Sequence, residues 1–222
     1  MCFTEDQSGS DMAHTRTLAK KVDGGWVING TKNWITNGPI ADFATVLATT
    51  DPALGMKGLN FFLVEKGTEG FSPGQTIHKL GARGPVTGEL VFENVFVPDE
   101  NLLGAEVGRG VEYLGETLDE VRCMTGAMAL GIARTAFNDG LEYARKREAF
   151  GKPIGEYQLI RAKFADMATE MEAARLMVYQ TAWMLAEGLP TRKIAAMAKM
   201  FATEACLKVV DEVTRIYGAN GF

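Results

Sequence analysis

The stretch GTKNWITNG, residues 30–38, sets one large flat ring beside one hydroxyl, Trp34 and Thr36. In a strand, residues two apart share a face, so the indole and the Thr36 hydroxyl stand side by side. Asn29-Gly30 and Asn37-Gly38 read as turn signals on either side. Such a pair suits a planar ligand with a polar edge, because an indole stacks on an aromatic face and a hydroxyl both donates and accepts. The same spacing also fits a core aromatic next to an ordinary strand threonine. Spacing alone leaves both readings open.

A second polar stretch, TEDQSGSD at 4–11, is a loop of hydroxyls, carboxylates and one glycine. Alone it is a generic turn. With Trp34 and Thr36 it matches a flavin, which has an apolar ring end, a hydrogen-bonding pyrimidine edge and a reactive N5. Competing chemistries lack their residues. There is no Gly-x-Gly-x-x-Gly after a strand, no phosphate-binding GxxxxGK[ST] and no GxSxG elbow. FGKPIG carries a Gly-Lys without the loop. His14 and His78 lie in separate segments and read as surface or strand residues, not as bases of a triad. Cys2, Cys123 and Cys206 form no CxxC pair, so no zinc site is expected and the thiols read as reduced. A net charge of −5 with no basic block argues against nucleic acid as the main partner. No apolar run approaches 18 residues and no targeting segment is evident.

Two kinds of element must position these residues. Residues 1–103 hold five of the seven prolines, and their apolar runs are short and β-branched or aromatic: WVING, ATVLATT, LNFFLVE, ELVFENVFV. Strands about ten residues apart with turns between them predict an antiparallel barrel or sandwich. From 104 to 222 the period changes to that of helices. The first carries Val111, Leu114, Leu118, Val121, Met128 and Ile132. The second carries Ile160, Phe164, Met167, Met171, Ala174, Val178 and Leu185. A third starts after Thr191, a candidate N-cap, carries Ile194 to Ile216, and ends at Gly218. Eight of the eleven methionines fall in this half and read as core filler. The expectation is an α+β chain in two domains, 1–103 and 104–222, the second an up-down bundle with three of four helices.

MCFTEDQSGSD, GTKNWITNG, KLGARGPVTGELVFENVFVPDENLLG, REAFGKPIGEYQ and RIYGANGF, in this order and spacing, resemble the acyl-CoA dehydrogenase family over essentially the whole chain. The resemblance implies that this is the middle β domain plus most of the C-terminal helical domain, a fragment lacking the N-terminal domain and the last helical segment. It implies FAD as cofactor. Thr4 is then the side chain at the flavin pyrimidine, and Ser10 lies near the FAD pyrophosphate and the acyl-CoA. Trp34 packs on the isoalloxazine, Thr36 reaches toward N5, and Ile35 between them is a further cofactor-binding position. Arg147 contacts the FAD of a neighbouring subunit, with Phe150, Gln158 and Gly218 in FAD-contacting stretches. Asp119 and Arg122 touch the CoA moiety or shape the active-site wall. Two departures stand out. Asp6-Gln7 replaces the usual proline and glycine, and Gly218-Ala219 replaces Gly-Gly.

The family removes an α proton with a glutamate and sends the β hydrogen to flavin N5 as hydride. No residue here matches that base in most members. A minority place it at the position of Val121, and Glu120, one step around the helix, points elsewhere. The resemblance therefore implies an FAD-dependent acyl-CoA dehydrogenase whose catalytic base is not in this chain, which by itself is expected to be inactive. Implied partners are an acyl-CoA, an electron-transferring flavoprotein and further copies of the chain, in bacterial cytoplasm or mitochondrial matrix. An acyl-CoA oxidase or flavin monooxygenase on the same scaffold, and a non-catalytic truncated piece, are the alternatives.

Overall fold

Gly24-Gly25 reads from the sequence as the turn between two strand-like segments; the turn is one residue earlier, Asp23-Gly24, with Gly24 at φ +74° and Gly25 already paired with Val22. The flanking segments form β1 (Leu18–Val22) and β2 (Gly25–Thr36), paired antiparallel from Val22–Gly25 to Leu18–Asn29. The computed structural model describes residues 1–222. The remaining strands are β3 (Phe43–Thr49), β4 (Leu59–Glu65), β5 (Phe71–Thr76) and β6 (Thr87–Pro98). They make one sheet in the order β4-β3-β1-β2-β6-β5. All pairings are antiparallel except β1 with β3, which is parallel at Leu18–Thr49. The order has two free ends, β4 and β5, so the sheet is the sandwich-like alternative and not a closed barrel. Its core gathers Trp26, Ile28, Val46, Phe62, Leu90, Phe92 and Val95.

Asn29-Gly30 is not a turn. It lies inside β2, where the register shifts between Ile28 and Gly30: Asn29 stands opposite Glu93-Asn94, and Gly30 pairs with Phe92. Asn29 Oδ1 accepts the Asn94 N–H at 2.8 Å, and Asn94 sits at φ +53°. A dipeptide suited to a hairpin turn here serves a bulge, because both uses need a residue free of ordinary ladder pairing.

The helices are α1 (Gly110–Lys146), α2 (Gln158–Ala186) and α3 (Arg192–Tyr217), with a short hairpin, β7 (Glu148–Ala149) and β8 (Lys152–Pro153), between the first two. The chain forms two compact units, Met1–Leu114 and Gly115–Phe222. On α2 and α3 the expected apolar faces are the inner ones: Phe164, Met167, Ala174 and Val178, and Ala205, Val209, Val213 and Ile216, are buried.

On α1 the expected stripe holds at the start, where Leu114 is buried and Val111 and Leu118 are half-buried, and fails further along. Val121, Met128 and Ile132 are exposed, while the inward seam is Cys123, Gly126, Ala129, Ala133, Gly140 and Ala144. Small residues let α1 approach its neighbours closely. A Cβ at Gly126 would sit 2.9 Å from Val178 Cγ2, and one at Gly140 would sit 3.0 Å from Val213 Cγ1. The methionines correct the core-filler reading in part: Met167 is buried, but Met124, Met128, Met197 and Met200 are exposed. Thr191 stands at the N-cap of α3 without capping it, its hydroxyl donating instead to Asp119 at 3.3 Å. Gly218 ends α3 at φ +59°, as expected. No helix is long and apolar enough to cross a membrane.

Candidate functional site

Between Lys32–Leu90 and Ile35–Gly88 the pairing of β2 with β6 steps three residues on one strand and two on the other. Trp34 takes up the extra residue at φ +60°. Strict alternation would have sent Trp34 to the side of Lys32. The bulge reverses that, so Lys32 and Ile35 both point inward while Trp34 and Thr36 both face solvent. The indole is 56% exposed, which removes the core-aromatic reading. Ile35 needs the opposite correction: its side chain belongs to the β core, leaving only its main chain to meet a cofactor.

A bulky residue in left-handed backbone is strained by roughly 1–2 kcal/mol. Trp34→Gly and Trp34→Ala lose the same ring, but only glycine relieves φ. The glycine variant is expected to be the more stable by about 1–2 kcal/mol in urea unfolding. Equal stabilities would show that the left-handed backbone carries no strain.

The loop that carries Thr4 is fastened to β2 and to the start of β1. Cys2 bridges β3 through Cys2 N–H to Thr45 O, 2.7 Å, and Leu47 N–H to Cys2 O, 2.9 Å. Glu5 is 5% exposed and accepts five hydrogen bonds: Arg16 N–H at 2.8 Å, Thr17 N–H at 3.0 Å, Thr17 Oγ1 at 2.6 Å, Lys32 Nζ at 2.7 Å and Gln7 Nε2 at 2.5 Å. Lys32 is wholly buried and also donates to Phe3 O at 3.3 Å. Burial alone would raise the Glu5 carboxyl, but the Lys32 charge and hydrogen bonds from Lys32, Thr17 and Arg16 hold it at about 2. Burial lowers Lys32, and the Glu5 charge offsets part of that. Burial likewise raises the Cys2 thiol.

Asn33 completes the join. Its N–H donates to Thr4 O at 2.8 Å, its Nδ2 to Asp6 Oδ1 at 2.5 Å, and its Oδ1 accepts the Trp34 N–H at 2.8 Å. The two residues that depart from the family pattern, Asp6 and Gln7, are thus both engaged, one with Asn33 and one with Glu5. Thr4 is half-buried and Ser10 exposed. Thr4, Trp34 and Thr36 are brought together on one bonded framework. Lys32, Asn33 and Glu5 were not singled out in the sequence. The polar surroundings Thr31-Lys32-Asn33 give no sign of a buried lysine, and nothing links it to a glutamate 27 residues away.

In the helical unit, Arg147, Phe150, Gln158 and Gly218 gather around the β7–β8 hairpin. Phe150 and Gly151 form its turn at φ +55° and +83°, and Phe150 is 97% exposed. Tyr157 Oη donates to Ala149 O at 2.7 Å, and Gln158 opens α2 in the open. Arg147 is exposed and has no ion pair. The Gly218 segment joins them because Tyr217 stacks on Tyr143, with centroids 4.2 Å apart, and Asn220 donates to Tyr143 Oη at 3.2 Å. Asp119 and Arg122 stand apart on α1. Asp119 is buried, paired with Arg122 at 3.0 Å and bonded to Thr191, so its carboxylate is occupied within the helices. A groove of about 420 Å³ between α1 and α2, lined by Gly131, Phe137, Met171 and Tyr179 among others, contains none of the candidate cofactor- or substrate-binding residues.

The chain matches the family model "Acyl-CoA dehydrogenase, middle domain" over residues 1–95 and "Acyl-CoA dehydrogenase, C-terminal domain" over residues 108–222. It is 46% identical to a benzylmalonyl-CoA dehydrogenase of Aromatoleum aromaticum over 222 residues, all of this chain and 58% of that protein. It is 44% identical to a mitochondrial isovaleryl-CoA dehydrogenase of Oryza sativa subsp. japonica, again over the whole chain and 54% of the relative. The solved butyryl-CoA dehydrogenase of Megasphaera elsdenii superposes with a TM-score of 0.97 at 41% identity, covering 100% of this chain and 58% of that one. The chain thus spans little more than half the length of these relatives. With both matched regions in sequence order, the chain belongs to the acyl-CoA dehydrogenase family.

Proposed function

We propose that residues 1–103 supply one face of an FAD site and residues 104–222 the helical part of an acyl-CoA dehydrogenase acting on a CoA thioester. The observation that carries this reading is Trp34: an exposed indole held in left-handed backbone, beside the exposed Thr36 and next to the bonded Thr4 loop. An apolar plane with hydroxyls at its margin fits a ring system that is flat and polar-edged. When bound, FAD supplies the hydride acceptor for α,β-dehydrogenation. Trp34 would cover one side of the ring and exclude water there. Thr4 and Thr36 would serve its polar edge, and Ser10 would meet the pyrophosphate or the thioester ligand.

Arg147, unpaired and next to the protruding Phe150, fits the role of reaching the FAD of a second copy, so assembly and cofactor retention would be linked. Asp119 acts on the substrate side through Arg122, whose guanidinium it holds. Electron-transferring flavoprotein is the proposed electron acceptor. No carboxylate of this chain is assigned the proton-abstracting role. Val121 is apolar, and Glu120 is exposed one step away. Residues 1–222 are therefore expected to bind FAD without turning over acyl-CoA.

Titrating FAD into the chain and following its visible spectrum tests the reading. Trp34→Ala is expected to weaken binding by roughly 1–3 kcal/mol and to change the spectrum. A variant with wild-type affinity and spectrum would leave Trp34 without a cofactor role.

A further inference from the structure

We propose that Asn33 is a positioning residue that sets Thr4 and Trp34 relative to each other, an inference that rests on the flavin-binding reading of this face. Trp34 leaves the strand ladder at its bulge, so its N–H needs another acceptor. Asn33 Oδ1 provides it at 2.8 Å. The other end of the same amide donates to Asp6 Oδ1, and the Asn33 main-chain N–H holds Thr4 O at 2.8 Å. The orientation of the amide is forced by its partners. An N–H must meet the oxygen, and a carboxylate, which only accepts, must meet the NH₂ group.

All three polar groups of Asn33 that face this loop are therefore used, and they bind residues 4, 6 and 34. The arrangement depends on Asp6, one of the two places where this loop departs from its family's pattern. Where others have a proline-glycine stiffened loop, this chain fastens the loop from β2 by a side-chain amide. Asn33 does not itself need to touch FAD. It determines where the indole and the Thr4 edge stand when the ring arrives.

Exchanging the two groups tests this. Asn33→Asp keeps the acceptor for Trp34 N–H but sets a second carboxylate against Asp6. FAD affinity is expected to fall about tenfold, and Trp34 amide hydrogen exchange in the FAD-free protein to accelerate about tenfold. Adding Asp6→Asn restores a donor opposite Asp at 33, and both readouts are expected to return to within about twofold of wild type. The urea midpoint of the β unit should stay nearly constant, since these groups are at the surface. Wild-type exchange in Asn33→Asp, or failure of the exchanged pair to recover it, would overturn the proposal. If wild-type protein retains no FAD, the flavin reading fails by itself, while the amide-exchange arm still decides the role of Asn33.

Discussion

Lys32→Met is expected to cost about 3–5 kcal/mol of stability at neutral pH, read as a fall in the urea midpoint, because it leaves a buried carboxylate without its counter-charge. That is a large share of the roughly 5–15 kcal/mol that holds a domain together. Glu5 keeps the hydrogen bonds from Thr17, Arg16 and Gln7, but none of these carries a charge to replace the ammonium 2.7 Å away. The effect has a sign in pH. The folded Glu5 value, about 2, lies below its ordinary 4.5, so its contribution is complete above about pH 4.5 and is lost as pH falls toward 2. In Lys32→Met, burial acts without the opposing charge, the carboxyl rises, and protonation relieves the variant. The gap between variant and wild type should therefore narrow on acidification through that window. A variant within about 1 kcal/mol of wild type at neutral pH would show that the surrounding donors alone sustain the buried charge.

Gly30→Ala should be nearly as damaging, by about 3 kcal/mol. Its Cβ would lie 2.5 Å from Thr17 Oγ1 and 2.7 Å from Thr17 Cα, and at φ +152° only glycine is at ease. One of the close atoms is Thr17 Cα, so turning the Thr17 side chain away does not relieve the clash. Thr17 is also the residue that gives Glu5 two of its hydrogen bonds. Displacing it should loosen the Thr4 loop as well as the sheet. Gly9→Ala is the control: nothing lies within 4 Å of a Cβ there, and the change should stay within about 0.5 kcal/mol. Urea unfolding of the two variants side by side decides the point, and equal midpoints would mean that β1 shifts away from Gly30 at little cost.

The element types were legible because burial imposes a period, and the period survives in the sequence. ATVLATT (44–50) and LNFFLVE (59–65) read as strands and coincide with β3 and β4 to within a residue; the apolar stripes of α2 and α3 read as inner faces and are so, except at Met197, which is exposed. Features that depend on a partner far along the chain were not legible. Asn29-Gly30 looks like a turn until Asn94 is placed opposite it. Trp34 and Thr36 share a face, as read from the sequence, but that it is the outer face follows from a bulge defined by the register with β6, which spacing does not reveal. Lys32 and Glu5 look like two unrelated surface charges until the sheet is assembled. Ile35 was carried along with its neighbours in the motif, and the bulge sends its side chain the other way. On α1 the reading holds at Leu114, but beyond it Val121, Met128 and Ile132 mark the wrong face, because a seam of glycine and alanine leaves little hydrophobic signal.

That seam also makes the mutational spectrum of α1 one-sided. Most core positions are damaged when a side chain shrinks and leaves a void, but Gly126 and Gly140 have nothing to lose, and Ala129, Ala133 and Ala144 have a single methyl. Their contribution is the absence of volume, so gain harms them most; loss is open only to the alanines, where Ala→Gly in a helix interior costs about 1 kcal/mol. Neutral drift along the helix is then confined to the outer residues, and the inner ones admit almost no exchange in the direction that random substitution most often takes a glycine, toward something larger.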